Sequence, residues 1–180
     1  MKIMKSLTQT AICLVVSTGL ISFPASAQTQ KLTDPEIASV AVTANKIDIA
    51  YANIAILKSK NAQVIEFAKT MEKDHQSVID QAVALVTKLG VTPKDNATSK
   101  SLMASADKTK SMLNSKSGKA FDKAYVDNEV AYHTAVINTV EKVLIPEATN
   151  KELQDLLKSA VPLFKAHLEH AKMVQKSLSK

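Results

Sequence analysis

VIEFAKTMEKDHQSVIDQAVALVTKLG, residues 64–90, decides the fold. Its apolar positions, Val64, Ala68, Met71, Val78, Ala82, Leu85 and Leu89, recur at three- and four-residue steps, and His75 stands on the same line. Gly90 then supplies the residue type that ends helices in a left-handed turn. A seam that holds its phase over about seven turns belongs to a bundle helix, because no stretch alternates with the period of two that a strand needs.

Outward from this helix, Asp34-Pro35 reads as a helix opening, with Asp as the cap and Pro at the first helical position, where its missing N–H costs nothing. Helix 1 is expected over about 35–58, with Ile37, Val40, Ala41, Ala44, Tyr51 and Ala55 inward and Asp48 inside that arc. Ser59-Lys60-Asn61 makes a tight connection to helix 2. Residues 90–117 are polar and read as a long connection, able to cross the bundle, with at most one short helix around Leu102–Leu113. Helix 3 is expected over about 119–144, with Phe121, Tyr125, Val136, Val140 and Val143 inward, and Pro146 stops it. Asn150 opens helix 4, whose face is Leu153, Leu156, Ala160, Leu163, His167, Ala171, Val174 and Leu178. Pro162 inside that helix predicts a kink just before His167. The fold class is therefore all-α: a four-helix bundle with a long connection between helices 2 and 3.

The first residues read as a signal peptide, 1–27: Lys2 and Lys5, an apolar run from Ala11 to Phe23, then Ala25-Ser26-Ala27 as a cleavage pattern. The run is short of the roughly 20 residues that cross a bilayer. The expected mature chain, 28–180, is a single bundle domain, periplasmic or secreted, without a transmembrane span. Cys13 lies in the leader, so the mature chain has no cysteine and must be held by its core. Loss of Lys2 and Lys5 lowers the formal net charge from +6 to +4. Every cationic side chain is a spread-out Lys, with none of the Arg forks that read phosphates and base edges, so nucleic acid is not expected as a partner. No cysteine nucleophile, serine constellation or glycine loop is available, and an enzyme is not indicated.

At 100° per residue, His75 and His167 project within about 25° of the centres of their apolar faces, and His133 within about 50°. Counting residues from the connections puts Asp48, His75, His133 and His167 near mid-bundle, with each hairpin pair differing in height by roughly 3–7 Å. One acid and three imidazoles, one from each helix, thus point at a common interior region. Burying them together costs several kcal/mol unless they are paired or hold a cation. Three neutral imidazoles and a carboxylate suit one transition-metal ion, Zn, Cu or Fe, kept for storage, buffering or stress resistance. Glu72, Asp74, Glu129 and His170 stand around them as further or supporting ligands. Two other readings stay open. In one, the cluster is a hydrogen-bonded structural core and the protein meets an envelope surface or protein partner through its lysine-rich face or the 90–117 connection. In the other, Glu72-x-x-His75 and Glu129 belong to a di-iron oxidase, for which helix 4 offers His167-x-x-His170 where a Glu is wanted.

Several motifs together resemble the bacterial family called domain of unknown function 4142: Asp48 on helix 1, Phe67 and Met71 leading into Asp74-His75, Phe121-Asp122-x-x-Tyr125 followed by His133, and Pro162 ahead of His167 and Ala171. Relatives usually carry Glu in place of Asp48, and Asp-His on helix 3 where this chain has Tyr132-His133, so here Glu129 or Tyr132 has to orient the imidazole. The resemblance implies a ferritin-like bundle and no particular activity. The family's label of predicted outer-membrane protein does not imply a barrel, since nothing alternates with period two.

Overall fold

The structure, a computed structural model, describes residues 31–179; the expected leader with Cys13 lies outside the described residues. Its helices are α1 (Asp34–Lys58), α2 (Ala62–Lys88), α3 (Ala97–Asn114), α4 (Gly118–Thr139), a π-helical turn (Val140–Leu144) that runs into the three-residue α5 (Ile145–Glu147), and α6 (Lys151–Leu178). The described residues contain no strand.

Side-chain ties at the helix ends fix the directions of the chain. α1 runs up and α2 down through the turn at Ser59–Asn61, where Asn61 Oδ1 accepts from the amides of Gln63 and Val64. The connection after α2 returns to the start of α1: Lys94 N–H donates to the Pro35 carbonyl, and Ser39 Oγ donates to Asp95 at 2.9 Å. α3 then climbs the full length of α1, from Asn96 Nδ2 on the Glu36 carbonyl to the Lys58 ammonium on the Asn114 carbonyl. α4 begins at that upper end, where Ser59 Oγ donates to buried Asp122 at 2.6 Å, and descends beside α1. α6 climbs back, packed on α4 and α2. The bundle order is up, down, down, up, and α3 is the helical crossover that makes the two downward helices parallel.

Several local expectations are corrected. The 90–117 stretch holds an 18-residue helix rather than a short one, because Asn96 caps it and Ser99 reciprocates from the third position. It buries only Ser99, Ala106 and Leu113, one residue in seven, so its amphipathic stripe is faint. Thr33, not Asp34, caps α1, with Glu36 reaching back to the Thr33 amide. Asp34 crosses to the opposite connection and accepts from Thr149 N, Thr149 Oγ1 and Asn150 N, tying α1 to the start of α6.

Helix 3 is interrupted before Pro146. That residue has no N–H and in a regular helix its ring would crowd the Lys142 carbonyl; the π turn, in which Ile145 N–H reaches back to the Val140 carbonyl, opens the ladder there. One extra residue in the turn moves the inward position from Val143, which is exposed, to Leu144, which is buried. In α6 the buried stripe is Leu153, Leu157, Val161, Phe164 and His167, one residue on from the expected Leu156, Ala160 and Leu163, which are half-buried. The helix is unbroken through Pro162, whose ring is exposed.

Among the described residues, α1 is the helix long and apolar enough to cross a membrane by length and composition. In the bundle it packs against α2, α3 and α4, so most of its circumference meets protein, and it buries Asp48 at mid-length. The core divides around that level. An upper cluster includes Phe67, Met71, Phe121 and Tyr125, and a lower one includes Ile37, Val140, Leu157 and Phe164.

Candidate metal centre

Between the two apolar halves lies a layer of ionisable side chains. Asp48 of α1, His75 of α2, Glu129 and His133 of α4 and His167 of α6 are all at most 3 % exposed. Helical spacing explains the layer: Tyr125, Glu129, His133 and Ile137 follow at four-residue steps on one face of α4, so the polar pair takes two rungs of an otherwise apolar ladder.

Each imidazole is held from behind by a different partner. Asn45 Nδ2 donates to the Ala41 carbonyl, which turns Oδ1 toward His75; it accepts from His75 Nδ1–H at 2.6 Å. His133 Nδ1–H donates to the Glu129 carbonyl at 3.0 Å. His167 Nε2–H donates to Asp74 Oδ2 at 3.0 Å. These bonds set the tautomers, and the remaining nitrogens, His75 Nε2, His133 Nε2 and His167 Nδ1, carry lone pairs. No hydrogen-bond donor reaches His167 Nδ1.

His75 Nε2 and His133 Nε2 face each other at 3.4 Å, and Asp48 Oδ2 lies 3.5 Å from the first and 3.7 Å from the second. The three imidazoles each offer a nitrogen within 4.8 Å of the others, and Asp48, Glu129 and His133 form a second convergent group that shares His133. Among the described residues neither carboxylate has a hydrogen-bond donor: both oxygens of Asp48 and both of Glu129 are buried without a partner. Burial pushes the Asp48 carboxyl up to about 8. Burial, then the neighbouring Asp48 charge, lifts Glu129 well above the usual range. The imidazoles move the other way: burial and the charges of the other two imidazoles hold His75 well below its ordinary value, burial brings His133 down to about 4, and burial lowers His167 against the pull of Asp74. Without a cation, every member of the layer is therefore driven to its neutral form.

Of the expected site residues, the fold gathers Asp48, His75, His133, His167 and Glu129, and sets Asp74 behind His167. Glu72 is half-buried and belongs to neither convergent group. His170 is also outside them, its ring edge-on to Phe67 at 5.0 Å between centroids. Asn45, which fixes the His75 tautomer, has no counterpart in the sequence reading; a polar residue three positions before Asp48 looks like part of a solvated edge. Phe164, stacked on the His75 ring at 5.5 Å, is likewise absent from the face expected for α6.

A family model described as Domain of unknown function (DUF4142) matches residues 21–174, a span that includes every member of the polar layer. No curated protein and no solved structure matches the chain.

Proposed function

The chain belongs to the DUF4142 family, whose description carries no activity, and from the site itself we propose that the protein holds one divalent transition-metal ion between His75, His133, His167 and Asp48. A single observation carries this reading. A tetrahedral ion with ligands at about 2.1 Å has ligand–ligand edges of about 3.4 Å, and the separations among His75 Nε2, His133 Nε2 and Asp48 Oδ2 are 3.4, 3.5 and 3.7 Å. They match one face of such a tetrahedron, and His167 offers a nitrogen within 4.8 Å of those of His75 and His133. Two lone pairs directed at each other across 3.4 Å also repel unless a proton or a cation lies between them.

Three nitrogens and one oxygen in tetrahedral array suit Zn²⁺ best among Zn, Cu and Fe, since Cu²⁺ favours tetragonal sites. Four protein ligands in a buried layer leave no open position, which favours holding a metal, as in storage, buffering or stress resistance, over activating a substrate on it. An ion would neutralise Asp48, while Glu129 balances the remaining charge. The outward bonds to Asn45, the Glu129 carbonyl and Asp74 are the supports that orient metal-bound imidazoles. The up-down-down-up order with one crossover is the arrangement of ferritin-like bundles, and it supports that kinship. The expected leader supports a periplasmic or secreted location for this role.

Cobalt(II) reports the geometry directly. The reading expects the chelator-treated protein to take up one Co²⁺ with the intense visible absorption of a four-coordinate site, displaced by equimolar Zn²⁺. A weak, six-coordinate spectrum, or one unchanged in His133→Ala, would be incompatible with it.

A further inference from the structure

Below the polar layer the packing is incomplete. An elongated cavity of about 330 Å³ lies among α1, α2, α3, α4 and α6, within the usual range of small-molecule sites. It exists because facing positions carry small side chains: Ala38, Ala41 and Ala44 on α1, Ala131 and Ala135 on α4, Ala160 on α6. α3 rests on α1 and barely meets α4, so the gap between them stays open. Ser105, Ala131 and Ala135, all exposed, mark that mouth.

The lining is graded from one end to the other. Along α4 it extends from Asn128 to Leu144, about 24 Å of helix. The lower end is closed by Val86, Leu144, Leu153 and Leu157, with no polar side chain among them. The upper end, by the mouth, carries the hydroxyls of Ser105 and Thr109 and the amide of Asn128, whose Nδ2 is buried and makes no hydrogen bond. Among the described residues, no Asp, Glu, Lys or His side chain lines the cavity.

We propose that this cavity binds the hydrocarbon chain of a single-chain neutral amphiphile, such as a long-chain alcohol, with the tail in the lower core and an uncharged polar end at Ser105, Thr109 and Asn128. Water is a poor occupant, since it needs two to four polar partners and the lower half offers only the Thr139 hydroxyl, already bonded to the Ala135 carbonyl. A charged or compact polar metabolite would give up hydration without a compensating group. An apolar tail loses only its contact with water, and one uncharged head meets the donors at the mouth. The site is distinct from the metal centre, from which Asn45, Tyr132 and Phe164 divide it, and its occupancy does not depend on whether metal is held.

The test is calorimetric titration of the purified protein with 1-dodecanol below its solubility limit, beside two variants that plug the cavity from different helices, Ala38→Leu and Ala135→Leu. The proposal expects saturable binding of about one dodecanol per chain, weakened at least tenfold in either plugged variant that keeps the helical spectrum, with zinc affinity unchanged. Absent or non-saturating uptake by the parent protein overturns it, as does equal uptake by the plugged variants. A second readout needs no plug. Alkylation of Ser105→Cys at the mouth should slow severalfold when dodecanol is bound, and an unchanged rate counts against the site. Loss of zinc binding with dodecanol binding intact would remove the metal reading and leave this one standing.

Discussion

Raising the pH of the metal-free protein from 6.5 to 8 should destabilise it, against the common pattern in which stability levels off over that range. The unfolded chain carries its carboxyls ionised above about pH 4.5 and its imidazoles neutral above about 6.5. The folded chain keeps Asp48 protonated up to about 8, because burial raises it, and Glu129 is raised in the same direction. Between 6.5 and 8 the folded state therefore binds protons that the unfolded state does not, and stability falls by about 1.4 kcal/mol per pH unit for each such carboxyl. Asp48 alone gives a loss of about 2 kcal/mol over that window, and Glu129, raised by burial and by Asp48, adds to it. Below 6.5 the sign reverses. His75 and His133 stay neutral in the fold while the unfolded chain protonates them, which offsets the two carboxyls, and His167, lowered by burial, tips the balance so that stability climbs with pH toward 6.5. The buried tyrosines, raised above their ordinary values, titrate outside the window. Metal-free stability should thus peak near pH 6.5. Urea denaturation in chelator at pH 5.5, 6.5, 7.25 and 8 measures it, and a flat or rising free energy between 6.5 and 8 would refute the protonated carboxyl pair. With one equivalent of zinc the carboxyls are ionised in the fold as well, so the alkaline decline should disappear.

Removing the support behind one imidazole should weaken the metal without removing a ligand: Asp74→Asn is expected to lower zinc affinity about 10- to 100-fold in a competition titration, with the melting curve of the metal-free protein little changed. Asn45→Ala deletes the acceptor for His75 Nδ1–H; besides a similar loss of zinc affinity, the stranded buried donor should cost about 1–3 kcal/mol in urea denaturation of the metal-free form. Asp122→Ala breaks the buried tie from α4 to Ser59 at the α1–α2 turn and should cost about 1–3 kcal/mol with metal binding intact. Asp34→Ala removes three bonds that satisfy the connection before α6; a loss of about 1–2 kcal/mol, in the range of a helix cap, should appear as a lower melting temperature.

The parts of this molecule that the sequence made readable are those where periodicity is strong and singular. The seam of α2 from Val64 to Ala82 is buried as its spacing requires, and the histidines stood out because each interrupts an apolar line. α6 was harder because it carries two adjacent apolar stripes, and burial chose Leu157, Val161 and Phe164 over Leu156, Ala160 and Leu163. α3 fully buries only Ser99, Ala106 and Leu113, one residue in seven, too sparse for a periodic signal, and its cap uses Ser99 where Glu or Gln makes the pattern conspicuous. The π turn leaves no mark except Pro146 itself, yet it rotates everything after it by one position, and Val143 changes places with Leu144. Asn45 has a different cause. Nothing about a polar side chain on a helix edge says that it faces inward; that follows only once the neighbouring helix supplies His75.

The central claim is that the polar layer exists to hold an ion, and metal content per chain tests it most directly. Protein purified without chelator or affinity tag would be analysed by mass spectrometry beside His75→Ala, His133→Ala, His167→Ala and Asp48→Ala. The account predicts about one transition-metal ion per chain in the parent and loss of it in each variant. A parent that carries no metal and takes up none from Zn²⁺, Cu²⁺ or Fe²⁺ would contradict the account and leave the layer as a purely structural set of neutral side chains.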